Sequence, residues 1–231
     1  MAKRDQHRAR VWVWRVLLTL GLLIGLALVF NEQLKLLVVD HLGDRTMQTI
    51  DKKTVKQNEQ SKGEFDFGAV KALDVQHVAK AATTASQRNA IGKLAIPSVK
   101  MALPIMKGLS NENLSTGAGT MKPDQTMGQG NYALAGHYMT NKGILFSPLK
   151  NLQLGKRIYL TDMSKVYTYQ VVTKTTVDQT QVQWIDNVAG KKLVTLITCA
   201  SATEGETNRI VVQGKLIAST KATHAALQVF D

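Results

Sequence analysis

The chain has a single cysteine among its 231 residues, so no disulfide can form within it. Acidic side chains are scarce as well, with 17 Asp and Glu against 29 Lys and Arg, and the formal net charge is +12. No internal repeat or low-complexity tract occurs, and no cluster of His and Cys offers a zinc site. No segment interleaves aromatics with basic residues in the way a single-strand nucleic-acid platform does, so the positive charge calls for another explanation.

Part of that charge has one. Lys3, Arg4, Arg8, Arg10 and Arg15 crowd the start of the chain, opposed only by Asp5. Residues 16–30 are apolar apart from Thr19, and with Val11 to Trp14 they make a stretch of about twenty residues, the length that crosses hydrocarbon. Arg15 can snorkel toward headgroups, and Trp12 and Trp14 suit the interfacial belt. The basic flank then stays in the cytoplasm and the rest of the chain goes outside. A cleaved signal peptide begins in the same way, but Asn31 Glu32 Gln33 Leu34 Lys35 provides no small-x-small site after Phe30. The expectation is a basic tail over residues 1–10 and an uncleaved transmembrane signal anchor over 11–30.

Residues 31–89 read as a stalk and an N-terminal helical segment. The stretch up to about residue 60 is polar with scattered aliphatics, and 51–63 is rich in Lys, Gln, Asn and Glu. Residues 74–89 are Ala-rich, with Val75, Val78, Ala79 and Ala82 at helical spacing, which predicts a helix on the outside of the domain. His77 in this segment and His224 near the chain end are assigned no chemistry. From about residue 90 short apolar runs alternate with turn residues, and strands are expected at 93–99, 102–106, 132–136, 157–161, 166–177, 193–199 and 209–218, with breaks at Pro104, Gly155 and Gly190. Many strands with few helices between them indicate an antiparallel barrel or a sandwich, and the pattern does not choose between the two.

The lone cysteine closes the β-forming run Val194 Thr195 Leu196 Ile197 Thr198 Cys199, and Arg209 heads a second such run, Ile210 Val211 Val212. A thiol attacks a carbonyl as thiolate; a nearby guanidinium favours the anion, and an imidazole can hold or return the proton. The candidate imidazole is His137, which ends Asn131 Tyr132 Ala133 Leu134 Ala135 Gly136 His137. Taken singly, each has a bland reading: a small buried hydrophobe, a loop histidine, a solvated strand-end charge. Together they point to a nucleophile with a proton carrier and a fixed cation.

These motifs resemble those of the sortases, the cysteine transpeptidases of Gram-positive cell surfaces. The resemblance rests on the TLITC run ending at Cys199, on Ala135 Gly136 His137, and on Asn208 Arg209 Ile210 Val211 Val212 Gln213 Gly214. It extends to Ile96 Pro97 Ser98 Val99, to Leu103 Pro104 Ile105, to Met127 Gly128 Gln129 Gly130 ahead of the histidine strand, and to Leu145 Phe146 Ser147 Pro148 Leu149 after it. It is similar to class A members and covers about residues 90–218. The resemblance implies a mainly β fold, an eight-stranded sortase-type β-barrel with short helices, over a catalytic domain at 90–231. It also implies that Cys199, His137 and Arg209 cleave an LPxTG-type sorting signal between Thr and Gly through a thioester. A peptidoglycan precursor, a lipid II-type amine acceptor, then receives the surface protein.

Alternation puts Ile197 with Cys199 on one strand face and Ala135 with His137 on another, so Ala135 and Ile197 are candidate groove residues or ordinary barrel residues. Thr198 is a candidate substrate contact or a residue present for its strand propensity. The connection 173–192, with Val182, Trp184 and Ile185, corresponds to the one that closes over the peptide in relatives. Some sortases bind calcium through carboxylates ahead of the histidine; between Gly117 and Asn131 this chain has only Asp124, so neither metal nor cofactor is expected. A pilin-polymerising sortase would carry a DPW-like lid and a second apolar span, and an L,D-transpeptidase would have Gly before the cysteine and Arg soon after it; neither pattern is present. A non-enzymatic, membrane-anchored wall-binding module with a passive cysteine remains the alternative from another class.

Overall fold

Eight short strands, rich in Val, Ile, Leu, Tyr and Thr, close into one barrel with an apolar interior. The structure, a computed structural model, describes residues 2–70, 77, 78, 80, 81, 89–140 and 143–231, with side chains from residue 10 onward. The strands are β1 (Ala90–Ile96), β2 (Met101–Met106), β3 (Ala118–Thr120), β4 (Asn131–Ala135), β5 (Arg157–Thr161), β6 (Lys165–Asp178), β7 (Leu193–Cys199) and β8 (Asn208–Lys221). Their order round the barrel is β1-β2-β3-β4-β7-β8-β6-β5, and β5 closes it against β1. Most pairs are antiparallel, but β2 with β3 and β4 with β7 are parallel. Closure removes the open edges that an isolated sheet exposes.

Leu94, Ile105, Tyr132, Leu134, Ile158, Leu160, Tyr169, Leu196 and Val212 are all buried. Gly214 lets strands approach inside: a Cβ there would lie 3.0 Å from Val194 and 3.1 Å from Tyr169. Pro104, expected as a break, is instead paired with Lys93 within β2. Strand β3 meets β2 only at Ile105 and Met106, so Pro104 has a strand neighbour on one side, where a missing N–H is tolerated. Strand β3 itself was not expected; its three residues, Ala Gly Thr, carry no alternation.

Helix α1 (Ala2–Val29) contains a 20-residue apolar stretch, Arg10–Val29, long and apolar enough to cross a membrane. Helix α2 (Asn31–Thr49) and α3 (Lys52–Asn58) follow. The chain falls into two compact units, Met1–Leu37 and Val38–Asp231. Residues 31–89, read above as a stalk and outer helix, are therefore divided differently. Val39, Leu42, Thr46, Met47, Ile50 and Val55 are buried, with α2's share at the spacing of one helix face. Met47 packs with Ala95, Val166 and Phe230, and Ile50 and Val55 pack with Ala90 and Met106, so 38–58 is a layer on the barrel. Within the expected helix at 74–89, only His77, Val78, Lys80, Ala81 and Asn89 fall among the described residues, the first four being helical. Helix α4 (Asn111–Thr116) is capped by Ser110, whose Oγ accepts from the Asn113 N–H, and α5 (His224–Leu227) lies near the chain end.

Candidate active site

Two ladders of opposite kind lead to the three predicted residues. Along the parallel β4–β7 pair Ala133 faces Thr195 and Ala135 faces Ile197, and the Gly136 N–H continues the ladder by donating to the Ile197 carbonyl at 3.2 Å. His137 is the next residue, two beyond the Ala135–Ile197 pair. In the antiparallel β7–β8 pair Cys199 is the register partner of Arg209. Cys199 thus ends β7, Arg209 stands at the start of β8, and His137 follows the end of β4, the neighbour of β7 on its other side.

Cys199 and Arg209 share the barrel's outer face. Val194 and Leu196 are buried within, so alternation turns Thr195, Ile197 and Cys199 outward. Cys199 is half-buried, as are His137 and Arg209. Thr198 lies between two outward residues and faces the other way: it is 2% exposed, and its Oγ1 has no hydrogen-bond partner among the described residues. The structure therefore sets Cys199, Arg209 and Ile197 on one strand face, packs Ala135 on the same cluster as Ile197, places His137 two residues beyond Ala135, and sets Thr198 on the opposite strand face.

Arg209 is held by neutral acceptors. Its Nη1 donates to the Glu206 carbonyl at 2.6 Å and the Asn208 carbonyl at 3.1 Å, and its Nη2 donates to Gln179 Oε1 at 2.7 Å. The Glu206 carboxylate organises the loop that supplies those carbonyls, accepting from Ser201 Oγ at 2.6 Å, from the Asn208 N–H at 2.8 Å and from Asn208 Nδ2 at 3.1 Å. The Ser201 bond chiefly, then those from Asn208 and the Arg209 charge, hold that carboxyl below its usual range. Asp178 is lowered too, mainly by Thr180 and to a smaller degree by Arg209. Sequence reasoning named neither Gln179 nor Glu206. Glu206, three residues before the arginine, sits where a loop-ordering carboxylate could have been sought; Gln179 gives no local signal.

Beside Ala135 and Ile197 lies an apolar wall. Leu109, Leu114, Met121 and Ala133 form a buried cluster on which Val70, Ala135, Ile185 and Ile197 pack. Ile185 belongs to the short 3-10 turn Val182–Ile185 in the connection between β6 and β7. Asn131, at the foot of β4, pins that connection: its Nδ2 donates to the Trp184 carbonyl at 2.9 Å and the Asp186 carbonyl at 3.1 Å. Its Oδ1 accepts from Thr195 Oγ1 at 2.7 Å, and Thr195 Oγ1 accepts in turn from Gln213 Nε2 at 3.2 Å. Lys122 Nζ adds a second tie, to the Ile185 carbonyl at 2.8 Å and Asn187 Oδ1 at 3.1 Å. Gly136 is set by crowding, since a Cβ there would lie 2.6 Å from Phe146 Cγ, and the Phe146 N–H donates to the His137 carbonyl at 3.1 Å.

A polar cavity of about 410 Å³ opens at the other end of β4, lined by Lys122, Asp124, Gln125, Gln129, Asn131 and Asn187 among others. One carboxylate beside a lysine ammonium is a poor donor set for a divalent cation. Among the described residues no three His, Cys, Asp or Glu side chains converge.

Comparison with known proteins gives this geometry a family. The sortase domain family matches residues 94–217. Sortase A of Streptococcus agalactiae serotype III (strain NEM316) is 40% identical over 220 residues, covering 93% of this chain and 88% of that one. Sortase A of Listeria monocytogenes serovar 1/2a is 38% identical over 203 residues, covering 87% of this chain and 90% of that one. The solved structure of Listeria monocytogenes sortase A superposes with a TM-score of 0.60 at 42% identity, covering 62% of this chain and 97% of that one. A sortase C-3 structure from Streptococcus pneumoniae reaches the same TM-score of 0.60 at 18% identity, a likeness of fold alone. By sequence over most of its length and by its closed eight-stranded barrel, the chain belongs to the sortase family, among the class A cysteine transpeptidases.

Proposed function

We propose that the chain cleaves an LPxTG-type sorting signal between Thr and Gly, with Cys199 as nucleophile, His137 as proton carrier and Arg209 as hydrogen-bond donor. The Cys199 thiolate adds to the threonyl carbonyl carbon, forming the C–S bond and an oxyanion. The Arg209 guanidinium, cationic throughout the working range, donates to substrate carbonyls and to that oxyanion. Collapse of the adduct breaks the C–N bond, and His137 as imidazolium delivers its proton to the departing glycyl amine. A thioester remains on Cys199. An amine of a peptidoglycan precursor then attacks it, His137 takes the amine's proton, and the thiolate leaves.

One observation supports the reading: Cys199 and Arg209 are register partners, and the β4–β7 ladder ends at Gly136, the residue before His137. The apolar wall with Ala135, Ile185 and Ile197 suits the Leu-Pro end of the peptide. The substrates would be LPxTG-bearing surface proteins. The apolar helix stretch Arg10–Val29 fits membrane anchoring. The basic residues ahead of it favour a cytoplasmic N-terminus with the barrel outside.

The test uses the full-length protein in detergent with an LPxTG peptide and hydroxylamine. Wild type should form the peptide hydroxamate, Cys199→Ala none, and Arg209→Ala roughly 10²- to 10³-fold less, the scale of losing an oxyanion donor. Hydroxamate formation by a folded Cys199→Ala variant refutes the mechanism.

A further inference from the structure

One side of the barrel, away from the reacting residues, carries cations that nothing in the mechanism uses. Arg157 on β5 pairs in register with Gln170 on β6, Gln170 with Lys215 on β8, and Lys215 with Leu193 on β7. Arg157, Gln170 and Lys215 are exposed, and so are Lys156, Lys191 and Lys192 next to the row. Among the described residues none of these five cations has an ion-pair partner. Asp162, just past the far end of β5, accepts from Tyr167 Oη and from the Ser164 and Lys165 N–H groups.

Large apolar side chains stand out of the same surface. Leu154 is 62% exposed, Val172 46%, Val188 43% and Ile217 50%. The Gly155 N–H bonds the Val171 carbonyl and the Val171 N–H bonds the Lys156 carbonyl, which sets Leu154 and Val172 beside Lys156. The Lys191 N–H closes a turn on the Val188 carbonyl, and Leu216 is bonded to the Lys192 carbonyl. Val172 and Ile217 both fall where the β6–β8 register shifts, at bulges, which places side chains outside the regular alternation.

Cations interspersed with protruding apolar tips have the chemistry of an interfacial membrane contact: the ammonium groups meet phosphates while the aliphatic tips enter the headgroup layer. A purely solvated basic face would have no use for the tips. The chain supplies the surface to be met, because Leu37 and Val38 join the unit with the apolar span directly to the barrel unit. We propose that this face, built on Lys156, Arg157, Lys191, Lys192 and Lys215 with Leu154 and Val172, docks onto anionic phospholipid headgroups of the membrane that anchors the protein. Leu193 and Cys199 stand at opposite ends of β7, roughly 20 Å apart by strand rise. Docking there leaves the reacting residues uncovered.

The experiment places the full-length protein in nanodiscs of phosphatidylcholine, with or without phosphatidylglycerol, and maps lysine reactivity toward an amine-reactive reagent by mass spectrometry. Lys156, Lys191, Lys192 and Lys215 should label roughly fivefold less in the anionic discs, and that protection should vanish near 0.5 M salt, where screening is short-ranged. Lys62 and Lys107, beside β2 and four strands round the barrel from β8, should label equally in both. Arg157→Glu combined with Lys215→Glu should abolish protection of Lys156, Lys191 and Lys192 while hydroxamate formation from a soluble peptide continues, which certifies the fold. Equal labelling in the two discs, or protection surviving the double charge reversal, overturns the proposal. So does protection by soluble poly(glycerol phosphate) in neutral discs without any response to phosphatidylglycerol, an outcome that assigns the face to anionic polymers.

Discussion

Asn131→Ala removes the one side chain that ties the foot of β4 both to its neighbour strand and to the connection over the groove. Asn131 is 1% exposed and makes three hydrogen bonds: to the Trp184 and Asp186 carbonyls as donor and from Thr195 as acceptor. Alanine strands a buried threonine hydroxyl and two carbonyls. At about 1 kcal/mol for each lost bond, with extra cost for the buried Thr195 group, the variant should lose about 2–4 kcal/mol in a urea titration. The functional effect follows from position. Trp184 and Asp186 flank Ile185, which packs on the groove cluster, whereas Cys199 ends β7 and His137 lies past the far end of β4. KM for an LPxTG peptide should therefore rise while kcat stays within about twofold, since the reacting residues are untouched. Asn131→Asp tests the donors: it keeps an acceptor for Thr195 but turns a second carboxylate oxygen onto the two carbonyls in a buried site, so it should restore neither stability nor KM. A loss below about 0.5 kcal/mol together with an unchanged KM refutes the argument that this network holds the wall.

Three further outcomes are expected. Gly136→Ala drives a Cβ to 2.6 Å from the buried Phe146 ring, so denaturation should register about 1–3 kcal/mol of overpacking, and hydroxamate formation should drop because His137 is the next residue. Gln179→Ala leaves Arg209 Nη2 without its side-chain acceptor; as Gln179 is exposed, stability should hold within about 0.5 kcal/mol while KM rises a few-fold, read by peptide kinetics. In alkali, burial raises Tyr132, Tyr167 and Tyr169 above the ordinary phenol value, Tyr169 to about 12. A raised folded value gives stability that is complete below the unfolded value near 10 and lost as pH climbs through the folded one, so unfolding should become easier from about pH 10 to 12. Phenolate absorbance from more than two of the five tyrosines near pH 10 in still-folded protein contradicts this.

Much of the barrel was legible because its strands advertise themselves. Residues 193–199 are a β-branched and aliphatic run bounded by Gly190 and a polar loop, and β7 occupies that span. Strand β5 likewise matches 157–161. What escaped was structure without a local pattern. Three residues of β3 cannot alternate visibly, and Pro104 looks like a break until its one-sided pairing is seen. The layer at 38–58 was read as a stalk because only one stripe of each helix is apolar, and such a stripe declares itself only against the surface it meets. Gln179 meets Arg209 across a separation of 30 residues through the β6–β8 register, where Val177 faces Arg209, and no motif encodes that meeting.

The site depends on register more than on any single contact. A slip of one residue along β7 would exchange Cys199 for Thr198 on the outer face and turn the sulfur into the barrel, where Arg209 and His137 do not point. At the reacting end the Arg209 Nη groups add no tie to β7, because they donate to its own loop and to Gln179. The register is fixed instead toward the opposite end, where Gln213, Thr195 and Asn131 are joined in series across β8, β7 and β4 by hydrogen bonds that a shifted strand could not make. Gly214 adds a steric stop, admitting Val194 and Tyr169 at one position only. The residues that align the nucleophile therefore lie nearer the start of its strand, and they touch neither the thiol nor the peptide it attacks.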